Sequence, residues 1–159
     1  MSSRSPNRRT GERVFKALVV DDDAGVRILV KKILQRNDFD VDVAGDGAAA
    51  IEKILQNDYH VIVLDLMMPR LDGRAVIHYL SKHSPEKLGN VIVMSAFGAS
   101  ALGEVTAPIG RYIEKPFDIE RLVREVNEVV TLGGHDENPP SDLSPSDLDA
   151  AGRGKEHSR

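Results

Sequence analysis

Val61-Ile62-Val63-Leu64 is an unbroken apolar run that stops at a carboxylate, Asp65. Four consecutive apolar residues, mostly β-branched, suit a strand buried on both faces, as in a parallel sheet. Pro69 and the pair Asp72-Gly73 then turn the chain before another helical pattern begins. A carboxylate at the C-terminal end of a central parallel strand lies where open α/β sheets bind ligands. Taken alone, Asp65 also reads as a loop-capping residue. The rest of the chain has to decide.

The same pattern recurs. Ala17-Leu18-Val19-Val20 is a second apolar strand, and it ends in Asp21, Asp22 and Asp23. Asp23 suits the N-cap of a helix whose apolar face is Val26, Leu29, Val30, Ile33 and Leu34. Val41 and Val43 alternate with Asp42 as a short, edge-like strand. Gly45-Asp46-Gly47 turns into a second helix, marked by Ala50, Ile51, Ile54 and Leu55. After Asp65 a third helix carries Ala75, Val76, Tyr79 and Leu80 and closes at Ser84-Pro85. Val91-Ile92-Val93-Met94 is a fourth strand ending at Ser95, and Tyr112-Ile113 a short fifth ending at Lys115-Pro116. The last helix starts at Asp118, with Ile119, Leu122, Val123, Val126 and Val130 as its buried face. Five β-then-α units in alternation predict an α/β fold, a parallel sheet with helices on both sides. Between Ser95 and Lys115, Gly103 and Pro108 leave room for at most about two helical turns. A short or irregular fourth helix is expected across residues 97–110.

Residues 1–13 are polar and basic without periodicity, and residues 133–159 are rich in Gly, Pro, Ser and Asp. Both read as disordered tails around one domain, residues 14–132. Ser141-Asp142-Leu143 recurs as Ser146-Asp147-Leu148, readable as compositional bias or as a docking peptide. A net charge of −4 removes the bulk electrostatic case for nucleic acid or an anionic membrane. With no cysteine, disulfides and thiolate metal sites are excluded. No apolar run approaches the ~20 residues of a membrane span, and the N-terminus lacks the apolar core of a secretory signal. A cytoplasmic location follows as the expectation. The stretch after residue 132 is too short and too polar for a folded output domain, so no direct DNA binding is expected.

Polar groups fall at the C-terminal end of four strands: Asp21 and Asp22, Asp65, Ser95 and Lys115. In a parallel sheet these ends share one edge, so residues distant in sequence converge. Three carboxylates together repel, which raises at least one pKa unless a cation neutralises them. Oxygen ligands without His or Cys select a hard ion, Mg²⁺ or Mn²⁺. Lys115 supplies a compact charge suited to a phosphoryl oxygen, and Ser95 a hydroxyl donor. The set reads as a phosphoryl-transfer site with Asp65 as the nucleophile that forms an acyl phosphate. No glycine-rich loop ends in Gly-Lys-Ser/Thr, which argues against a bound nucleotide.

Val19-Val20-Asp21-Asp22-Asp23, Val63 through Gly73, Val93-Met94-Ser95-Ala96 and Tyr112-Ile113-Glu114-Lys115-Pro116-Phe117 together resemble the receiver domain of bacterial two-component response regulators. The resemblance implies a flavodoxin-like, doubly wound sheet of five parallel strands in the order 2-1-3-4-5. It makes Asp65 the phosphoacceptor, fed by a sensor histidine kinase or a histidine phosphotransfer protein. Mg²⁺ would be held by Asp22, Asp65 and the backbone carbonyl of Met67, with Asp21 acting through water. Ser95 and Lys115 would bind phosphoryl oxygens, Tyr112 would be the aromatic switch, and Lys115-Pro116 would be joined by a cis bond. The implied protein is a single-domain switch, monomeric or weakly dimeric, that acts on a downstream target protein or relays phosphate. It is not a turnover enzyme.

Two other readings stay open. A pseudo-receiver scaffold would not be phosphorylated, though such scaffolds usually lose part of the acidic site. An Asp-nucleophile phosphatase wants a second Asp two residues after the first, where this chain has Met67.

Overall fold

The structure, a computed structural model, describes residues 14–96, 109 and 111–132. Both expected tails and the expected short fourth helix, apart from Ile109, lie outside the described residues. Within them the chain runs β1 (Phe15–Val20), α1 (Ala24–Arg36), β2 (Phe39–Ala44), α2 (Gly47–Gln56), β3 (Val61–Asp65) and α3 (Gly73–His83). A 3-10 turn (Pro85–Asn90) leads into β4 (Val91–Ser95), then β5 (Arg111–Glu114) and α4 (Ile119–Leu132). All pairings are parallel and the strand order is β2-β1-β3-β4-β5, as the resemblance implied.

Local chemistry starts and stops the helices. Asp23 Oδ1 accepts from the Gly25 and Val26 N–H groups, Asp46 caps α2 through Ala49, and Asp72 caps α3 through Ala75. Helix α1 ends with Asp38 in the left-handed region, φ 67°, one of the few non-glycine residues that tolerates it. The Lys115-Pro116 bond is cis.

Strand alternation divides the core into two layers. Leu18, Val20, Ile62, Leu64, Val91 and Val93 pack against Ala50 and Ile54 of α2 and Val76, Ile77 and Leu80 of α3. Ala17, Val19, Val61, Val63, Ile92, Met94 and Ile113 pack against Val30, Ile33 and Leu34 of α1 and Leu122, Val126 and Val129 of α4. Every residue of β3 is buried. Each of its four apolar side chains contributes roughly 1.5–3 kcal/mol by leaving water, which anchors the strand that carries Asp65.

Three residues placed on apolar helix faces by periodicity prove exposed: Leu29 (49%), Leu55 (63%) and Ile119 (53%). Leu29 stands about 100° of helix from buried Val30, at the rim of the stripe. Leu55 and Ile119 sit near helix ends, where the sheet no longer backs them.

At the opposite end of the sheet from the acidic residues, Tyr59 Oη donates to Asp42 Oδ2 at 2.6 Å. Lys16 Nζ donates to Asn57 Oδ1 at 2.7 Å and lies 3.5 Å from Asp42 Oδ2. The Tyr59 hydroxyl, helped by Lys16 and Lys53 and opposed by burial, holds the Asp42 carboxyl below its ordinary value. A carboxyl depressed by folding stabilises the fold above its unfolded pKa of about 4 and loses that contribution as pH falls through the folded value. Tyr59→Phe keeps the ring and is expected to cost about 1 kcal/mol at pH 7 and less at pH 3. Denaturant unfolding at both pH values checks this; an equal cost at each would assign the effect to ring packing alone.

Candidate functional site

Strand register brings the candidate residues together. Val20 pairs with Leu64, so Asp21 follows β1 at the level where Asp65 closes β3. Asp65 pairs with Met94 and Ser95 with Glu114, so Ser95 stands one step further out than Asp65, and Lys115 one step beyond Ser95. The ladder runs past the strand ends: the Lys115 N–H donates to the Ser95 carbonyl at 2.8 Å, and the Leu66 N–H to the Met94 carbonyl at 3.1 Å.

Side-chain alternation then sorts these groups by face. Val19, Val63 and Ile113 point into the layer of α1 and α4, and Asp21, Asp65 and Lys115, two residues on from each, share that side. The three converge: Lys115 Nζ donates to Asp21 Oδ2 at 3.1 Å and lies 3.4 Å from Asp65 Oδ2. Carboxylate oxygens of Asp21, Asp22 and Asp65 all lie within 4.8 Å of one another. Asp21 and Asp65 are buried and Asp22 is exposed, so the cluster opens to solvent on the Asp22 side. Ser95 has the opposite parity, that of Val93, and is fully buried. Tyr112 shares this second face, its ring packed on the α2–α3 core layer. Asp21, Asp22, Asp65, Ser95 and Lys115 therefore meet at one edge, while Ser95 shares with Tyr112, which lies further into the sheet, the opposite face from Asp21, Asp65 and Lys115.

Backbone geometry locks Asp65 in place. The Met67 N–H donates to Asp65 Oδ1 at 3.1 Å, while the Met67 side chain stays exposed. Arg70, in the following loop, is left-handed at φ 66°. The Gly73 N–H donates to the Leu66 carbonyl, and a Cβ at Gly73 would run into the Asp65 carbonyl oxygen. Only glycine lets α3 start this close to the strand end. Sequence alone marks Gly73 as a turn residue; the close approach it permits has no local signal.

Burial raises the Asp65 carboxyl, the neighbouring Asp21 carboxylate raises it further, and Lys115 and the Met67 N–H only partly offset them; the pKa reaches about 6. Burial works against the Lys115 ammonium, yet its contacts with Asp21 and Asp65 outweigh this and lift it above the ordinary lysine value. The metal-free site is thus short of positive charge. A group raised by folding contributes fully below its unfolded pKa, about 4, and that contribution is lost as pH rises through about 6. Asp65→Asn escapes this loss. Without divalent ions it is expected to exceed the wild-type chain in stability by about 1–3 kcal/mol at pH 7.5, and to match it near pH 4. Thermal and denaturant unfolding in chelator test this, and equal stability at pH 7.5 would contradict it.

Residues 17–127 match the family model described as the response regulator receiver domain. The response regulator MprA of Mycobacterium sp. (strain KMS) is 32% identical over 126 residues, which cover 79% of this chain and 55% of that protein. The transcriptional regulatory protein ResD of Bacillus subtilis (strain 168) is 36% identical over 117 residues, covering 72% of this chain and 48% of that protein. This chain spans about half the length of these curated relatives. Among solved structures, a CheY-like response regulator receiver domain protein from Methanospirillum hungatei JF-1 superposes with a TM-score of 0.66 at 30% identity. That superposition covers 74% of this chain and 95% of the other.

Proposed function

Because the chain belongs to the response regulator receiver domain family, we propose that it is a phosphorylation-dependent switch of a two-component relay with Asp65 as phosphoacceptor. The observation that carries this reading is the buried Asp65 carboxylate at the sheet edge, with Lys115 3.4 Å away and two further carboxylates beside it. An Asp65 carboxylate oxygen attacks the phosphorus of a phosphohistidine on a sensor histidine kinase or a histidine phosphotransfer protein. The P–O bond forms as the P–N bond breaks, and the imidazole nitrogen leaves with the electron pair.

The donor set fits a hard divalent ion. Three carboxylates within reach of one another, with no nitrogen or sulfur ligand among them, suit Mg²⁺, with Mn²⁺ as a substitute. We assign it to Asp22, Asp65 and the Met67 backbone carbonyl. Asp21 acts through water, in keeping with a carboxylate engaged by Lys115. When bound, the ion neutralises carboxylate and phosphoryl charge. Lys115, already between Asp21 and Asp65, needs little movement to pair with a phosphoryl oxygen on Asp65.

Ser95 and Tyr112 read the result. The new dianionic charge draws the Ser95 hydroxyl toward the phosphoryl group as a donor, and Tyr112 fills the space released. Among the described residues the buried Tyr112 hydroxyl has no hydrogen-bond partner. Such a group costs roughly 1–3 kcal/mol where it stands, so a rearranged position is accessible to it. The downstream target is a protein that distinguishes the two arrangements of this face. No helix among the described residues is long and apolar enough to cross a membrane.

Acetyl phosphate with Mg²⁺ is expected to add one phosphoryl group, seen by intact mass, and none to Asp65→Asn. Ser95→Ala is expected to accept phosphate but to lose most of the amide shift changes that accompany it in the wild type. Labelling of Asp65→Asn would overturn the assignment of the acceptor. An unchanged spectral response in Ser95→Ala would overturn that of the switch.

A further inference from the structure

Arg27 lies in the first turn of α1, where the positive end of a helix disfavours a cation by roughly 0.3–1 kcal/mol. No acidic residue accompanies it there. The side chain folds back over the helix start, half-buried, and Arg27 Nη1 donates to the Asp21 backbone carbonyl at 2.7 Å. A Cβ at Gly45 would lie 3.2 Å from the same Nη1, so the glycine leaves the space the guanidinium occupies. One side chain therefore joins the loop after β1 to the loop after β2.

Every bond around it converges on the acidic loop. The Asp21 N–H donates to the Ala44 carbonyl at 3.2 Å, and the Asp21 carbonyl accepts from Arg27. Asp21 Oδ1 accepts from the Asp23 N–H at 2.9 Å, while Asp23 caps α1. Both neighbours of Asp22 are pinned, although Asp22 itself is exposed. Two long side chains reach this loop from outside it: Lys115 holds the Asp21 carboxylate, and Arg27 holds the Asp21 backbone carbonyl.

We infer that Arg27 is a positioning residue of the cation site, holding the Asp21–Asp23 backbone so that the Asp22 carboxylate meets the ion already aligned. The inference rests on the reading above that Asp22 and Asp65 hold Mg²⁺. It carries a sign that separates it from simple electrostatics. A guanidinium near a bound divalent cation repels it, so removing Arg27 tightens binding if charge dominates and weakens binding if positioning dominates.

Mg²⁺ titration of the full chain, by calorimetry and by the Asp22 amide shift, below the unfolding temperature of each variant, decides between them. Arg27→Ala is expected to weaken Mg²⁺ binding about tenfold. Arg27→Lys is expected to recover part of the loss, since its ammonium can donate to the same carbonyl but sits on a shorter side chain without the rigid planar fork. Gly45→Ala, which keeps the arginine but crowds it, is expected to weaken binding several-fold, and it carries the test if Arg27→Ala does not fold. Tyr59→Phe, destabilised at the far end of the sheet, is expected to bind as wild type. Unchanged or tighter binding in Arg27→Ala, or in Gly45→Ala where it stands in, overturns the inference. So does a matching loss in Tyr59→Phe, which would make the effect one of stability alone. A wild-type chain that binds no Mg²⁺ overturns the reading of the cation site itself, and this inference with it.

Discussion

One ammonium shared by two buried carboxylates is the interaction on which the rest of the structure depends. Lys115 follows the fifth strand, Asp21 follows the first and Asp65 ends the third. Their meeting requires the whole parallel register to be right. A one-residue slip in any strand would send its group to the opposite face. Taking such charges out of water costs several kcal/mol per ion before their attraction is counted, and buried ion pairs are weak sources of stability. The arrangement is better understood through chemistry. A carboxylate that is desolvated and short of counter-charge is disposed to accept a divalent cation, as the proposed phosphoacceptor role requires.

On the proposed function, strand parity separates chemistry from readout. Asp21, Asp65 and Lys115 share the face of α1 and α4, whereas Ser95 and Tyr112 face the layer of α2 and α3. On this reading, a phosphoryl group on Asp65 would stand at the sheet edge, where both faces can be reached from one point. Ser95 is the nearest group of the second face in register, because its strand ends next to that of Asp65. The proposed switch would thus turn a charge change on one side into a packing change on the other.

Much of this was legible in the sequence because it rests on periodicity and on strand ends. Continuous apolar runs mark β1, β3 and β4, alternation marks β2, and the pair Tyr112-Ile113 marks β5. Asp23 announces a helix start by capping chemistry, whereas Asp46 and Asp72 read as turn residues and prove to be caps as well. The acidic set and Ser95 are visible because each follows directly on an apolar run, and Lys115 because it comes just past the end of the fifth strand. What escaped is set by contacts across the fold. Periodicity identifies an apolar stripe but not how much of it a neighbour covers, so it places Leu29, Leu55 and Ile119 on apolar faces although all three are exposed. Gly73 looks like any turn glycine until the Asp65 carbonyl is set against it. The Tyr59–Asp42 bond joins residues 17 positions apart through side chains alone. Arg27 left one trace, a cation in the first turn of a helix whose first turn holds no acidic residue, which is a local misplacement until its partner is known.

The claim that burial and neighbouring charge poise Asp65 for a cation is tested most directly by titrating its carboxyl carbon by NMR, with and without Mg²⁺. The account predicts a midpoint of about 6 in the metal-free chain, falling well below that when Mg²⁺ is present. A midpoint near 4, the ordinary value for an aspartate, that Mg²⁺ leaves unmoved would contradict it.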